Sequence, residues 1–266
     1  MRPARIDNPP LVAVAHGSRD PRAAATVGEL LDLVSERAGR HGLSGLDVRT
    51  AFLDHAAPSL PQVLGAVAAE HDQCVVVPLL LTAAFHSKKD IPGRVTRDRS
   101  EYPVLDVRVA EPLGPHPLLV RALERRLGAV YDGPRAATGV VLAAAGSSDP
   151  EANAVNAAVA ASWQAAGGWR RVVPAYASAS SPPPEEAVRG LAARRSVVVA
   201  TYLLAPGFFA DRVRATALEA GAAAVSDVLG AAPEVADVVL ERYAAAVRAD
   251  STAPLVAGAS LSAERQ

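Results

Sequence analysis

The stretch VAVAHGSRDPR at residues 12–22 returns as VLAAAGSSDPE at residues 141–151. Each copy is an apolar run followed by the frame Ala-x-Gly-Ser-x-Asp-Pro. The run is typical of a buried parallel strand, and Asp-Pro is typical of a helix N-cap with proline in the first turn. One position differs in chemical character: His16 of the first copy is Ala145 in the second. A strand–turn–helix unit therefore occurs twice, with an imidazole in one copy.

The repeat continues along both halves of the chain. Three further pairs of segments match in the same order: TAFLDHAAPSL (50–60) with PAYASASSPPP (174–184), LLTAAFH (80–86) with LLAPGFF (203–209), and LGPHP (113–117) with LGAAP (229–233). The long distance between copies indicates a duplicated domain rather than a short-period solenoid.

Short apolar runs alternate with amphipathic segments throughout, which predicts parallel sheets with helices on both faces. The predicted strands are 11–15, 48–53, 74–81, 104–110, 140–145, 171–177, 196–205 and 223–230. The predicted helices are 21–40, 58–71, 93–100, 115–130, 150–166, 183–194, 209–221 and 233–248, two of which open with a proline, Pro21 and Pro58. The fold class is therefore α/β, with two duplicated domains at 1–130 and 139–250, a linker at 131–138 and a flexible tail at 251–266.

Composition excludes several classes of protein. The chain has 266 residues, 50% of them hydrophobic, and a formal charge of −1, which disfavours nucleic acid as a partner. The single cysteine, Cys74, rules out an internal disulfide and argues against a thiolate-held zinc or iron–sulfur site. The sequence shows neither a secretory signal nor an apolar window long enough to span a membrane. We therefore expect a cytoplasmic protein without a membrane partner.

The two halves differ in their polar side chains. All six histidines lie in the first half, and alignment pairs His16, Asp54, His55 and His86 with Ala145, Ser178, Ala179 and Phe209. His16, Asp54 and His86 follow the first, second and third predicted strands, whose carboxyl ends share one edge of a sheet. Neutral imidazoles suit divalent iron, cobalt, nickel and zinc. Two imidazoles and one carboxylate predict a metal site with open positions.

Ordinary structural roles remain open for each of these residues. The ring of His16 could bond a backbone carbonyl in a turn, and His86 could cap the following helix. His55 adjoins Asp54 on the chain and would point elsewhere. The other three histidines, on helices or their ends, are expected to be solvated: His41, His71 and His116.

Basic residues gather near the same strand ends: Arg19, Arg22, Lys88, Lys89 and Arg94. The second copy has Ser148 and Glu151 where the first has Arg19 and Arg22, which favours an anionic ligand over the first half. Gly17 and Ser18, placed before a helix, also suit an anion. The chain has neither a Walker loop nor GxGxxG at this turn, so nucleotide binding is not indicated.

Three motifs together resemble those of the class II chelatases, and most closely the sirohydrochlorin chelatases: AHGSRDP, FLD before a proline-led helix, and PLLLTAAFHSKKDIP. The resemblance covers residues 11–130 and, more weakly, 139–248. It implies two flavodoxin-like domains facing across a cleft that holds a tetrapyrrole. The second domain would replace the partner subunit of the single-domain homodimers, which implies a monomer with an internal pseudo-dimer.

The resemblance also implies an activity, namely ATP-independent insertion of Fe²⁺ or Co²⁺ into sirohydrochlorin in siroheme or cobalamin biosynthesis. The metal (Fe²⁺, Co²⁺ or Ni²⁺) would be a substrate, with no permanently bound cofactor. His16 and His86 would hold it, and Asp54, where the family commonly has glutamate, would assist capture or act through water. The implied substrate-binding residues are Ser18, Arg19, Arg22, Phe85, Lys88 and Lys89.

Three aromatic residues and two leucines are candidates for apolar walls around the macrocycle: Phe85, Phe208, Phe209, Leu80 and Leu81. An ordinary place in the core is an equal alternative for the leucines. A non-catalytic tetrapyrrole or metal carrier needs the same cleft and imidazoles and stays an alternative function. A metal-dependent hydrolase would require more carboxylate or histidine ligands.

Overall fold

The computed structural model describes residues 8–82, 104–192 and 196–251. Within them, eight strands form two four-stranded parallel sheets. The first sheet has the order β2-β1-β3-β4, made of β1 Leu11–Ala15, β2 Val48–Phe52, β3 Gln73–Pro78 and β4 Asp106–Val109. The second has the order β6-β5-β7-β8, made of β5 Gly139–Ala144, β6 Arg171–Tyr176, β7 Val197–Tyr202 and β8 Ala224–Val225. The predicted duplicated α/β fold is confirmed.

Equivalent strands share the same register in both sheets. At the carboxyl end of the central strand, Ala15 pairs with Phe52 in the first sheet, and Ala144 pairs with Tyr176 and Tyr202 in the second. Both central strands are entirely buried, as expected for parallel sheets covered on both faces. The turns after β1 and β5 therefore leave their sheets at the same point.

The described helices repeat in the same way. They are α1 Pro21–Ala38, α2 Leu60–Ala68, α3 Pro117–Gly128, α4 Pro150–Gly167, α5 Pro184–Leu191, α6 Phe208–Glu219 and α7 Pro233–Ser251. Short 3₁₀ turns lie at Gly39–His41 and Arg135–Ala137. The predicted helix 93–100 and the predicted tail from 252 lie outside the described residues.

Both repeated Asp-Pro pairs begin helices as predicted. The side chain of Asp20 accepts from the N–H of Arg22, and that of Asp149 accepts from the N–H of Glu151. The prediction that Pro58 opens a helix is wrong, because α2 begins after the N-cap Ser59. The carbonyl of Pro58 instead accepts the N–H of Phe52 and holds the turn against β2.

The two halves share one hydrophobic core. Helices α1 and α3 of the first half pack with α4 and α7 of the second in a layer between the two sheets, through residues such as Leu30, Leu123, Trp163 and Val239. A separate cluster joins α2 to the outer face of the first sheet, and another joins α5 and α6 to the outer face of the second. The shared core fixes how the two sets of strand ends face each other.

Polar contacts reinforce this interface. The guanidinium of Arg37 in α1 donates to both carboxylate oxygens of Asp237 in α7, over 2.8 and 2.5 Å. Arg125 in α3 pairs with Glu234 in α7 at 3.1 Å. The carboxylate of Glu124 accepts from both Trp163 and Trp169 of the second half.

One histidine expected to be solvated, His116, is partly buried in this interface instead, so that prediction is wrong for it. Nδ1 of His116 accepts the N–H of Leu118 as the N-cap of α3, and its Nε2 lies 3.2 Å from Glu241. Nε2 of His41 lies 3.1 Å from Asp237. His116 becomes partly buried because α7 packs over it, whereas His41 stays exposed, as expected, beside Asp237.

In the described part of the chain, no helix is both long enough and apolar enough to cross a membrane.

Candidate functional site

A cavity of about 340 Å³ lies between the halves where β1, β3 and β7 end. The first half contributes His16, Gly17, Ser18, Val27 and Leu79, and the second contributes the loop after β7, residues 203–207, with the start of α6. This space is called the His16 cavity. The strand β1 is buried in the core, and His16, which follows it directly, is exposed at the carboxyl end of the sheet.

Gly17 is needed where the turn after β1 passes the turn after β2. Its φ is +93°, and a Cβ there would lie 1.8 Å from the carbonyl oxygen of Asp54. The N–H of Asp54 in turn donates to the carbonyl oxygen of His16 over 2.9 Å. Two predicted site residues on different strands are therefore joined directly through their backbones.

The second half keeps the same backbone arrangement without the polar side chains. Gly146 has φ +86°, and a Cβ there would lie 2.0 Å from the carbonyl oxygen of Ser178, whose N–H donates to Ala145 over 3.0 Å. His55 and its counterpart Ala179 are both left-handed, at φ +62° and +57°. The repeated sequence frame thus encodes the turn, and the histidine is an addition to it.

Asp54 lies beside the His16 cavity rather than in its lining, as far as the described residues define it. It is half-buried, and the structure brings it next to His16 through the backbone bond. His55 is exposed, and its backbone is left-handed.

Ser18 of the first half is equivalent to Ser147 of the second half. The hydroxyl oxygen of Ser18 accepts the N–H of Asp20 over 3.1 Å, and Ser147 does the same for Asp149 over 3.0 Å. In the second half, Oδ1 of Asn153 also accepts the N–H of Ser147, and its Nδ2 donates to the Ser147 carbonyl, over 3.1 and 2.7 Å.

The residue equivalent to Asn153 in the first half is Ala24. Among the described residues, no side chain accepts from the N–H of Ser18, a residue that lines the His16 cavity. The N–H of Ser18, next to the imidazole, therefore has no side-chain acceptor among the described residues, whereas the equivalent N–H of Ser147 donates to Asn153.

The two predicted cations of this turn differ in their surroundings. Arg19 is exposed. Arg22 lies 2.6 Å from Asp20 and 2.6 Å from Asp211 of the second half. The hydrogen bonds that Arg22 donates to Asp20 and to Asp211 raise the pKa of Arg22, and the bond that Asp20 accepts from Arg22 lowers the pKa of Asp20. Arg22 therefore bridges the two halves.

Two exposed aromatic rings form the wall opposite His16. Phe208 and Phe209 are 71% and 40% exposed, although large apolar side chains are usually buried. Their ring centroids lie 5.7 Å apart at an interplanar angle of 61°, and both line the cavity. An apolar wall facing an imidazole suits a flat, largely apolar ligand that must meet a metal.

The other predicted site residues, Phe85, His86, Lys88, Lys89 and Arg94, lie outside the described residues, so their roles stay predictions. Sequence reasoning overlooked the contrast between Ala24 and Asn153. The signal was available, because the two helices align from their shared Asp-Pro starts.

A second group of potential ligands lies at the opposite edge of the first sheet. Ligand atoms of Asp47, Glu70 and His71 come within 4.8 Å of one another. Arg49 already pairs with both carboxylates, at 2.7 and 2.5 Å. These residues lie at the amino ends of the strands, where ligands of parallel sheets do not usually bind.

Comparison with known proteins follows the same two halves. The CbiX family model matches residues 10–130 and again 139–246. A sirohydrochlorin cobaltochelatase of Priestia megaterium is 33% identical over 144 residues, which are 53% of this chain and 45% of that protein. A sirohydrochlorin ferrochelatase of the same organism is 30% identical over 208 residues, 76% of this chain and 75% of that protein. The chain thus spans about half the length of the first relative and three quarters of the second.

Among solved structures, SirB from Bacillus subtilis with Fe3+ superimposes with a TM-score of 0.79 and 25% identity, over 92% of this chain and 98% of that one. The likeness therefore extends over both sheets and the cavity between them. Because the family model matches each half in turn and these relatives share its fold, the chain belongs to the CbiX family.

Proposed function

We propose that this protein inserts Fe²⁺ or Co²⁺ into sirohydrochlorin. The observation that carries the proposal is His16, an imidazole present in one copy of a repeated turn, which lines a cavity between the halves together with two exposed phenylalanine rings. The cobaltochelatase and ferrochelatase relatives give the substrate class.

Metal insertion sets two tasks that imidazoles can perform. The macrocycle must lose two pyrrole protons and gain one divalent cation, and a neutral imidazole can bind a metal or accept a proton. We assign metal capture to His16 and His86, with Asp54 next to His16 as an assisting carboxylate. The cation is a substrate that arrives and leaves, so open coordination positions are required.

The remaining side chains are assigned to the macrocycle. Phe208 and Phe209 would pack against the ring, and Arg19 and the N–H of Ser18 would bind peripheral carboxylates. Arg22 already pairs with Asp20 and Asp211, so its contribution would be to hold the rim in place. Phe85, Lys88 and Lys89 complete the set proposed from the sequence.

The division into a first domain that carries the ligands and a second that forms the opposite wall is part of the proposal. A monomer with an internal pseudo-dimer follows from it, because both walls are supplied by one chain. Cytoplasmic location stays a prediction from the sequence.

An anaerobic insertion assay tests the proposal with purified protein, sirohydrochlorin and Fe²⁺, Co²⁺ or Ni²⁺ in turn. Many turnovers per protein with at least Fe²⁺ or Co²⁺ are expected, followed by the absorbance change of the macrocycle. Saturation at one equivalent would instead identify a carrier, and no reaction above the protein-free rate with any metal would overturn the proposal.

A further inference from the structure

A second cavity, of about 460 Å³, adjoins the His16 cavity between the two halves. The two cavities share Pro206 and Ala210, so the segment from the end of the β7 loop to the start of α6 separates them. Three arginines line the second cavity, Arg22 and Arg126 of the first half and Arg214 of the second. Three acidic residues line it as well: Glu29, Asp211 and Asp227. This space is called the arginine cavity.

Two of these guanidinium groups already have carboxylate partners. Arg22 pairs with Asp20 and Asp211, and Arg214 lies 2.7 Å from Asp227. Arg126 differs, because no carboxylate of the described residues lies within ion-pair distance of it. Its Nε and Nη2 both donate to the carbonyl oxygen of Leu229, over 3.1 and 2.8 Å.

The unused part of the Arg126 guanidinium suits one kind of ligand. A guanidinium has five N–H donors in a planar fork, and the Leu229 carbonyl accepts only from the Nε–Nη2 side. The Nη1–Nη2 side remains, and its parallel N–H groups match the two oxygens of a carboxylate. Burial lowers the pKa of Arg126 and the neighbouring Arg125 lowers it further, while the charges of Asp227 and Glu234, which form no ion pair with it among the described residues, raise it.

Gly230 allows the second half to approach this guanidinium closely. It is left-handed at φ +59°, and a Cβ there would lie 3.1 Å from Nη2 of Arg126. The Arg126 side chain is therefore held between its own helix and the Leu229–Gly230 turn, which fixes its direction before any ligand arrives.

The duplicated half separates a structural role from a binding role. Arg242 lies as far from Pro233, which begins α7, as Arg126 lies from Pro117, which begins α3. Nη2 of Arg242 donates to the carbonyls of Leu113 and Pro115, each over 3.2 Å. Contact with a leucine carbonyl of the other half is thus common to both arginines, whereas only Arg126 lines the arginine cavity.

We infer that Arg126 binds a carboxylate group of the tetrapyrrole and thereby positions the macrocycle beside His16. The inference rests on the proposed function and adds a substrate-positioning residue from the last helix of the first half. The ligand group is a carboxylate fixed to the ring, since the cavity adjoins the one that would hold the ring.

Arg126→Gln tests this inference, with Arg242→Gln as the matched control. Both changes remove an equivalent contact between the halves. The melting temperature should therefore fall by a similar amount in each variant. Loss of a charge-assisted hydrogen bond should weaken binding of metal-free sirohydrochlorin by about ten- to a hundredfold in Arg126→Gln. Arg242→Gln should bind it as wild type does.

Binding is measured by titration of protein fluorescence without metal, so it does not depend on turnover. The KM for sirohydrochlorin should rise in Arg126→Gln with kcat nearly unchanged. Wild-type affinity in Arg126→Gln, or equal losses in both variants, would overturn the inference. Wild type that binds sirohydrochlorin but never inserts metal would contradict the proposed function alone.

Two further arms keep the test decisive. If Arg126→Gln does not fold, Arg126→Lys and Arg242→Lys replace the pair, and the first should still bind less tightly because lysine lacks the fork. Free acetate at high concentration should compete poorly with the macrocycle. Strong competition that disappears in the Arg126 variant would show a site for free anions and overturn the assignment to the ring.

Discussion

The N–H of Asp54 donates to the carbonyl oxygen of His16 over 2.9 Å, and in the other half the N–H of Ser178 donates to Ala145 over 3.0 Å. The bond joins the turns after neighbouring strands and does not depend on either side chain. It explains how one half can lose an imidazole and a carboxylate while its fold is kept. It also means that the exposed side chain of His16 can be exchanged to test function with little effect on folding.

Gly17→Ala should destabilise the protein, because a Cβ would collide with the Asp54 carbonyl at a left-handed position. Positive φ alone costs roughly 1–2 kcal/mol for alanine, and the clash adds to this. Urea unfolding should therefore show a loss of at least about 2 kcal/mol.

Gly146→Ala is the control for this change, since its Cβ would meet Ser178 in the same way. Similar loss of stability is expected in both variants. Activity per folded molecule should fall only with Gly17→Ala, which displaces the turn that carries His16. Equal activity in the two variants would show that the turn geometry does not matter to insertion.

In Ala24→Asn, the new amide should accept the N–H of Ser18 beside His16, so that this donor is no longer available to the substrate. Asn153 shows the expected result, because its amide takes both the N–H and the carbonyl of Ser147. The KM for sirohydrochlorin should rise several-fold in Ala24→Asn, while stability stays equal or increases.

Asn153→Ala makes the reverse change in the second half. It should cost about 1–3 kcal/mol for two lost hydrogen bonds without changing KM. An unchanged KM in Ala24→Asn, with the variant folded, would show that Ser18 does not contribute a donor to the substrate.

His116 should make stability fall in mild acid. Burial lowers its pKa more than the ion pair with Glu241 raises it, so the folded state binds a proton less readily than the unfolded chain. This contribution is present above the unfolded pKa of about 6.5 and is lost as pH falls through the lowered folded value.

His116→Asn keeps a residue that can cap α3 but does not titrate in this range. Its melting temperature should fall less than that of wild type between about pH 7.5 and 5. His55→Asn, at an exposed position, should behave as wild type does. An identical pH dependence in wild type and His116→Asn would assign the effect to other groups.

The duplicated fold could be predicted from the sequence because the same turn residues recur in the same order. Each of them has a local structural role. Asp20 and Asp149 cap helices, and Gly17 and Gly146 permit a close approach, regardless of what surrounds them. The end of a strand was predicted too far along in β3, because the apolar run continues as Leu79, Leu80 and Leu81 past the last strand residue, Pro78.

The interface between the halves could not be predicted in the same way. His116 becomes partly buried only because α7 packs on it, and Arg126 is held by Leu229 and Gly230 of the other half. Such contacts depend on how two domains dock, and no local pattern encodes that. The placement of His16 at the cavity edge was predictable, since it follows a buried strand directly.

The rate of Co²⁺ insertion by His16→Ala, beside wild type and Ala145→His, tests the central claim most directly. His16 is exposed, so circular dichroism and thermal unfolding should match wild type, while the insertion rate should fall by at least about a hundredfold. Ala145→His should retain wild-type activity, and adding it to His16→Ala should restore nothing, because the second half has Ser178 and Phe209 in place of the other polar groups. A folded His16→Ala that inserts cobalt at the wild-type rate would contradict the claim that this histidine is what separates the working half from its copy.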